Sequence, residues 1–211
     1  MTVRALYLCE GSSDMGLRLH IEEIAADEGK EILVTSPDFD RLRYPVGHSV
    51  ADKLRAARKL NDKGSDYDLV VIHRDSDDGP PERRRREIAA AVSAAWPGLT
   101  HVPVIPVRML EAWLLLDTAA IREVAGNPNG RVALGLPKPA RAEAVADPKH
   151  LLKEAIAKAS EEKGRDLRKL QNRFSENRRR LLQMLDRQGP VSQLASWKAF
   201  DAELREALKS Y

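Results

Sequence analysis

Two acidic clusters stand directly behind two of the most apolar runs of the chain. Residues 3–9 form an apolar run that ends in Glu10-Gly11, and residues 67–73 (YDLVVIH) lead into Arg74-Asp75-Ser76-Asp77-Asp78-Gly79. If the backbone stays extended past His73, Asp75 and Asp77 point to one side, because side chains alternate along a strand. Neighbouring strands would then bring Glu10 beside the aspartates. Carboxylates packed together repel one another, so either their pKa values rise or a cation neutralises them. Oxygen ligands favour Mg²⁺ or Mn²⁺. Such an ion, held by one or two carboxylates, keeps positions open for water and phosphate oxygens, which suits phosphodiester chemistry. An Asp-x-Asp alone is a weak signal, since acidic residues behind strands also serve as loop residues and helix caps. Asp78 reads as a turn or cap residue, and His73, which shares the parity of the aspartates, either faces the site or packs as an ordinary strand histidine.

The elements needed to position these groups can be read from periodicity. Residues 3–9, 31–35, 67–73 and 100–105 read as strands, with helices expected over 14–28, 50–61, 82–95 and 109–116. Ser12 or Ser13 could cap the first helix. Strands buried on both faces, alternating with helices, predict a parallel α/β core over residues 1–117. In such sheets ligands bind at the carboxyl ends of the strands, where Glu10 and the aspartates stand. Residues 118–211 read as a loop, rich in Gly, Pro, Ala and charge, followed by a helical C-terminal region packed on the core.

Basic residues supply candidate phosphate contacts. Lys149 follows Asp147-Pro148 in the first turn of an expected helix, and a lysine at a helix N-terminus can bind phosphate; Lys138, between two prolines, is a weaker candidate of the same kind. Arg83 and Arg84 directly follow the aspartate loop. Residues 163–180 carry eight basic residues against two acidic ones, Asp166 and Glu176. Leu167, Leu170, Phe174, Leu181 and Leu185 recur there at helical intervals. Arg173, Arg178 and Arg179 on that segment either hold phosphates, positioning a strand without reading its bases, or form a solvated face. Trp113 reads as core, and so does Cys9.

The composition sets outer limits. The chain has 211 residues, 43% hydrophobic and 32% charged, with a net charge of +3, which permits nucleic-acid binding without demanding it. A single cysteine excludes a disulfide framework or a zinc-ligand pair within the chain. The start, MTVRALYLCEG, lacks the long apolar segment of a signal peptide, and no stretch approaches the length of a transmembrane helix; the expectation is a cytoplasmic protein with no membrane partner.

Strand-Glu10-Gly11-Ser-Ser-Asp14-helix, followed by strand-Asp75-Ser-Asp77, resembles the TOPRIM domain of topoisomerases, primases and OLD-type nucleases. Pro106-Val-Arg108-Met-Leu-Glu111-Ala-Trp113-Leu-Leu-Leu-Asp117 is similar to a segment of small bacterial TOPRIM-like proteins of the RloB group, as are Pro148-Lys149-His-Leu-Leu and Leu194-Ala-Ser-Trp-Lys-Ala-Phe200. The resemblance covers most of the chain. It implies a TOPRIM-like, Rossmann-like sheet with Glu10 as general acid/base or metal ligand and Asp75 and Asp77 as the metal pair. It also implies Glu111 as a fourth acidic ligand, although a first-turn glutamate that simply complements the helix dipole is as good a reading. Asp14 stands where many such domains have glutamate. Many relatives lie beside SMC-like or ABC ATPases or in anti-phage defence regions, which implies a Mg²⁺-dependent nuclease with a possible ATPase partner. An RNA-maturation ribonuclease and a non-catalytic metal- or nucleotide-binding subunit are the alternatives. A topoisomerase would need a nucleophilic tyrosine on a separate domain, and a primase a zinc module.

Overall fold

The computed structural model describes residues 2–61 and 67–211. Four strands, β1 (Thr2–Leu8), β2 (Glu31–Thr35), β3 (Leu69–His73) and β4 (Thr100–Val104), form one all-parallel sheet in the order β2-β1-β3-β4. This is the α/β class expected, with a Rossmann-like arrangement. β3 is buried along its whole length, as its unbroken apolar run requires of a central parallel strand. The chain winds from β1 outward to β2, then returns to β3 on the other side of β1. Strand order thus reverses between β1 and β3, where open α/β sheets form a crevice at their carboxyl edge.

Alternation along the strands divides the core in two. Leu6, Leu8, Val70 and Ile72 face α2 (Val50–Leu60) and α3 (Pro81–Ala95). Val3, Ala5, Tyr7, Val71, Val102 and Val104 face the other way. Among the crossover helices, only α1 (Arg18–Asp27) lies on that second face. The C-terminal half covers the rest: α10 (Ala195–Leu208) packs on β4 and α1. Between them run α4 (Glu111–Leu114), α5 (Thr118–Val124), α6 (Pro139–Ala142), α7 (Pro148–Ser160), α8 (Gly164–Asn172) and α9 (Phe174–Gln183). One buried cluster runs from Val3 to Leu208, so residues 118–211 complete the core of the sheet instead of forming a separate one.

Three local differences from the sequence reading matter for the site. Residues 12–17 form a 3-10 turn before α1, capped by Gly11 and not by a serine; the Asp14 carboxylate instead accepts from the Gly11 N–H at 2.9 Å. The basic C-terminal segment is two helices that break at Arg173. Trp113 is fully buried, its indole N–H donating to Ser196 Oγ at 2.8 Å and its ring packed edge-on to Trp197, which ties α4 to α10. No helix among the described residues is long and apolar enough to cross a membrane.

Candidate acidic site at the carboxyl edge of the sheet

Glu10 follows β1 and Asp75 follows β3, so the reversal of strand order sets them side by side. Both line a cleft of about 320 Å³ together with Asp14, Glu111, Lys149 and Arg178. The strand alternation that groups His73 with Asp75 holds, and His73 faces the site. Its Nε2 lies 3.1 Å from Asp75 Oδ1 and its Nδ1 lies 3.2 Å from Asp14 Oδ2, the latter contact being off the line of a regular hydrogen bond. A neutral ring would turn one bare nitrogen toward a carboxylate. Burial alone would lower the pKa of this histidine, but bonds and charge from Asp14 and Asp75 outweigh it and push it up to about 10. The ring is therefore an imidazolium clamped between two aspartates.

Beyond Asp14 the chain of alternating charge continues. Arg178, on α9, donates to Asp14, to Ser13 Oγ at 2.7 Å and to Glu111 Oε1 at 2.8 Å. Asp14, Glu111 and Arg178 are all buried. Burial would raise the Asp14 carboxyl, but His73 and then Arg178 hold it well below the usual carboxylate range. Asp75, His73, Asp14, Arg178 and Glu111 thus form a continuous ionic network linking β3, the turn after β1, α9 and α4, four elements distant in sequence. Three carboxylates against two cations leave one negative charge, on the side of the cleft.

Glu10 and Asp75 are only partly committed. Arg74 Nη1 holds Glu10 Oε1 at 2.9 Å, and Asp75 Oδ1 accepts from His73 and from the Leu110 N–H at 3.0 Å. Glu10 Oε2 and Asp75 Oδ2 have no partner among the described residues. Burial first, and then the charge of Asp75, raise the Glu10 pKa, with Asp77 adding to it and His73 and Arg74 opposing.

Asp77 lies elsewhere. Its backbone is in the left-handed region (φ 53°), which ends the extended run and opens a turn in which Gly79 N–H bonds Ser76 C=O at 3.1 Å. The side chain, 61% exposed, swings out to Arg84 Nη2 at 2.5 Å, so the alternation expected to put Asp77 beside Asp75 fails one step past it. Arg84 is committed to Asp77, Glu87 and the Asp75 carbonyl, so it is a structural contact and not a free phosphate ligand. Arg178 is corrected in the same way: it is buried in the ionic network instead of lying on a solvated face. Arg173 pairs with Glu176 at 2.9 Å. Arg83, Lys138 and Arg179 are exposed and do not line the cleft. Lys149 does line it, on the first turn of α7, which Asp147 caps by accepting from the His150 N–H at 2.8 Å. Arg74 is the site residue that the sequence reading does not single out; the parity shared with Asp75 already leaves His73 as a candidate to face the site, and the resemblance already marks Asp14.

Among the described residues no three His, Cys, Asp or Glu side chains are grouped to hold a metal. Asp14 and Glu111 are both paired with Arg178, and Asp77 with Arg84. The donor set that fits a hard cation is the pair Glu10 and Asp75, each with an uncommitted oxygen, because Mg²⁺ is commonly held by one or two carboxylates with water and phosphate completing its shell. No protein-family model, no curated protein and no solved structure matches the chain.

Proposed function

We propose that the chain is a Mg²⁺-dependent nuclease of the TOPRIM type, acting on phosphodiester bonds in DNA or RNA. The observation that carries this reading is the meeting of Glu10 and Asp75, each with an oxygen uncommitted among the described residues, where the order of the parallel sheet reverses, in a cleft that Lys149 also lines. Glu10 and Asp75 would hold the ion. When bound, it supplies charge stabilisation to the phosphoryl oxygens and lowers the pKa of water. His73 fixes the orientation of Asp75 through one oxygen, leaving the other for the cleft. Lys149 offers an ammonium to the substrate phosphate. In this reading Asp77 and Glu111 keep their arginines and are not ligands.

One observation favours a second reading. Arg178 and Arg84 already pair with Asp14, Glu111 and Asp77, and His73 and Arg74 with Asp75 and Glu10, so the site is largely balanced without an ion, as in a phosphate-binding regulatory domain. Cleavage assays separate the two. Plasmid, single-stranded DNA and tRNA are incubated with the protein in Mg²⁺, in Mn²⁺ and in a chelator. The nuclease reading expects metal-dependent cleavage that Asp75→Asn abolishes and Asp77→Asn largely retains. Cleavage at the wild-type rate by Asp75→Asn, or in chelator, refutes it. Binding without cleavage under every condition selects the regulatory reading.

A further inference from the structure

We propose that a single nucleic-acid strand runs through the acidic cleft instead of ending in it, along a groove that enters past Tyr44 and leaves past Phe174, so that cleavage is internal. The proposal rests on the nucleic-acid reading above and adds the path and the strandedness of the substrate.

Three clefts lie in series. The acidic one, of about 320 Å³, is the middle member. Glu10 is also a wall of a larger cleft of about 720 Å³, formed by the loop after β2 and by Lys53 of α2. On the other side, Phe174 is shared with a cleft of about 230 Å³ between α7 and α8. The acidic cleft thus adjoins the larger cleft through Glu10 and the smaller one through Phe174, with space on both sides of it. A site that trims strand ends needs a wall beyond the scissile position; here the larger cleft occupies that place.

The two flanks carry matching chemistry. Tyr44, 44% exposed, has Lys59 Nζ 5.1 Å from its ring centre, and Phe174 has Lys153 Nζ at the same 5.1 Å. Each is an aromatic ring with an ammonium over one face, a pairing of ring and positive charge of the kind that contacts the bases and phosphates of single strands. On the entry side Arg43 and His48 are exposed and have no acidic partner among the described residues, with Asp40 the one acid besides Glu10. On the exit side Lys149 and Lys153 stand four residues apart on α7 and therefore on one helix face, about 6 Å apart. That spacing suits successive phosphates of an extended strand. Neither lysine has an acidic partner among the described residues. Rings that line clefts, Tyr44 exposed and Phe174 partly buried, are reached by unstacked bases, hence a single strand and not a duplex.

The test uses the full chain carrying Asp75→Asn, so that binding is read without cleavage. Fluorescent oligothymidylates of increasing length, a single-stranded circle and a duplex are titrated by anisotropy, with Tyr44→Ala and Lys153→Gln added separately. Affinity should rise with length until both flanks are filled, and the circle should bind as well as a long linear strand. Tyr44→Ala should weaken binding roughly five-fold or more, as loss of one stacked base does, and Lys153→Gln should flatten the salt slope by about one. With the unmodified chain in Mg²⁺, the circle should be opened. Wild-type affinity in both flank variants, exclusion of the circle, or preference for the duplex overturns the groove. Trimming of linear ends with circles left intact overturns it while leaving the nuclease reading standing. Circles bound through both flanks but never cut support the groove and reject the nuclease.

Discussion

Arg178 is the residue whose removal should be felt most, and the structure gives the size of the effect. Its side chain is 8% exposed, and those of its partners Asp14 and Glu111 are 4% each. In Arg178→Met, Asp14 keeps His73 and the Gly11 N–H, but Glu111 keeps no counter-charge among the described residues. Leaving one member of a buried ion pair unpaired costs about 3–5 kcal/mol. For a chain of this length each kcal/mol shifts the melting temperature by about 2–4 °C, which predicts a fall of roughly 6–20 °C. Urea titration and thermal melts of Arg178→Met, Arg178→Lys and Arg178→Met/Glu111→Leu check it. The lysine keeps the charge but loses the fork that reaches both carboxylates, so it should fall between the others. The double variant removes the orphaned carboxylate and should recover much of the loss. An Arg178→Met protein within about 1 kcal/mol of the parent, or a double variant no better than the single one, would refute the network as drawn.

Three further outcomes follow from the same geometry. The folded pKa of His73, about 10, lies above its unfolded value, so its stabilisation is complete below about pH 6.5 and lost as pH rises toward 10; urea stability across that window should fall by a few kcal/mol in the metal-free parent and stay nearly flat in His73→Gln. Gly16 sits where the 3-10 turn meets α9, and a Cβ there would lie 2.7 Å from the Arg179 carbonyl oxygen and 3.0 Å from Leu182 Cβ. Gly16→Ala should therefore cost about 1–3 kcal/mol by overpacking, and an unchanged denaturation midpoint would show that α9 moves freely. If Glu10 and Asp75 hold Mg²⁺, a hundred-fold excess over its dissociation constant should add about 2.7 kcal/mol of stability, readable as a rise in melting temperature that Asp75→Asn and Glu10→Gln abolish and Asp77→Asn keeps. A rise that survives Asp75→Asn places the ion elsewhere.

Much of this was legible in the sequence, for reasons that can be named. The four strands and three crossover helices carry unbroken apolar runs or clean helical spacing, so their positions follow from local pattern, to within a residue or two for β2 and α3. The placement of Glu10 and Asp75 follows from a rule about parallel sheets that needs only strand order. What stayed hidden depends on contacts far apart in the chain. Arg178 reads as one more arginine in a basic helix, and nothing local says that its side chain reaches Ser13, Asp14 and Glu111. Asp77 was misplaced because alternation holds only while the backbone is extended, and a left-handed aspartate with Arg84 to receive it ends the alternation at a non-glycine residue, two positions before Gly79-Pro80-Pro81 signal a turn.

Counter-charge, more than proximity, sorts the acidic residues of this site. All five acidic side chains, Glu10, Asp14, Asp75, Asp77 and Glu111, lie around one sheet edge, and a sequence cannot rank them. The arginines do. Arg178 takes Asp14 and Glu111 out of service as ligands and uses them to pin α9 and α4 against the turn after β1. Arg84 takes Asp77 and anchors the loop after β3 to α3. Arg74 and His73 each take one oxygen of Glu10 and Asp75 and leave the other. The Glu10 carboxyl, raised by burial first and then by the charge of Asp75, is the part of the cluster that His73 and Arg74 do not fully offset. A group supplied from outside would be most stabilised there, and a divalent ion that brings a phosphate with it meets that requirement better than a further side chain could.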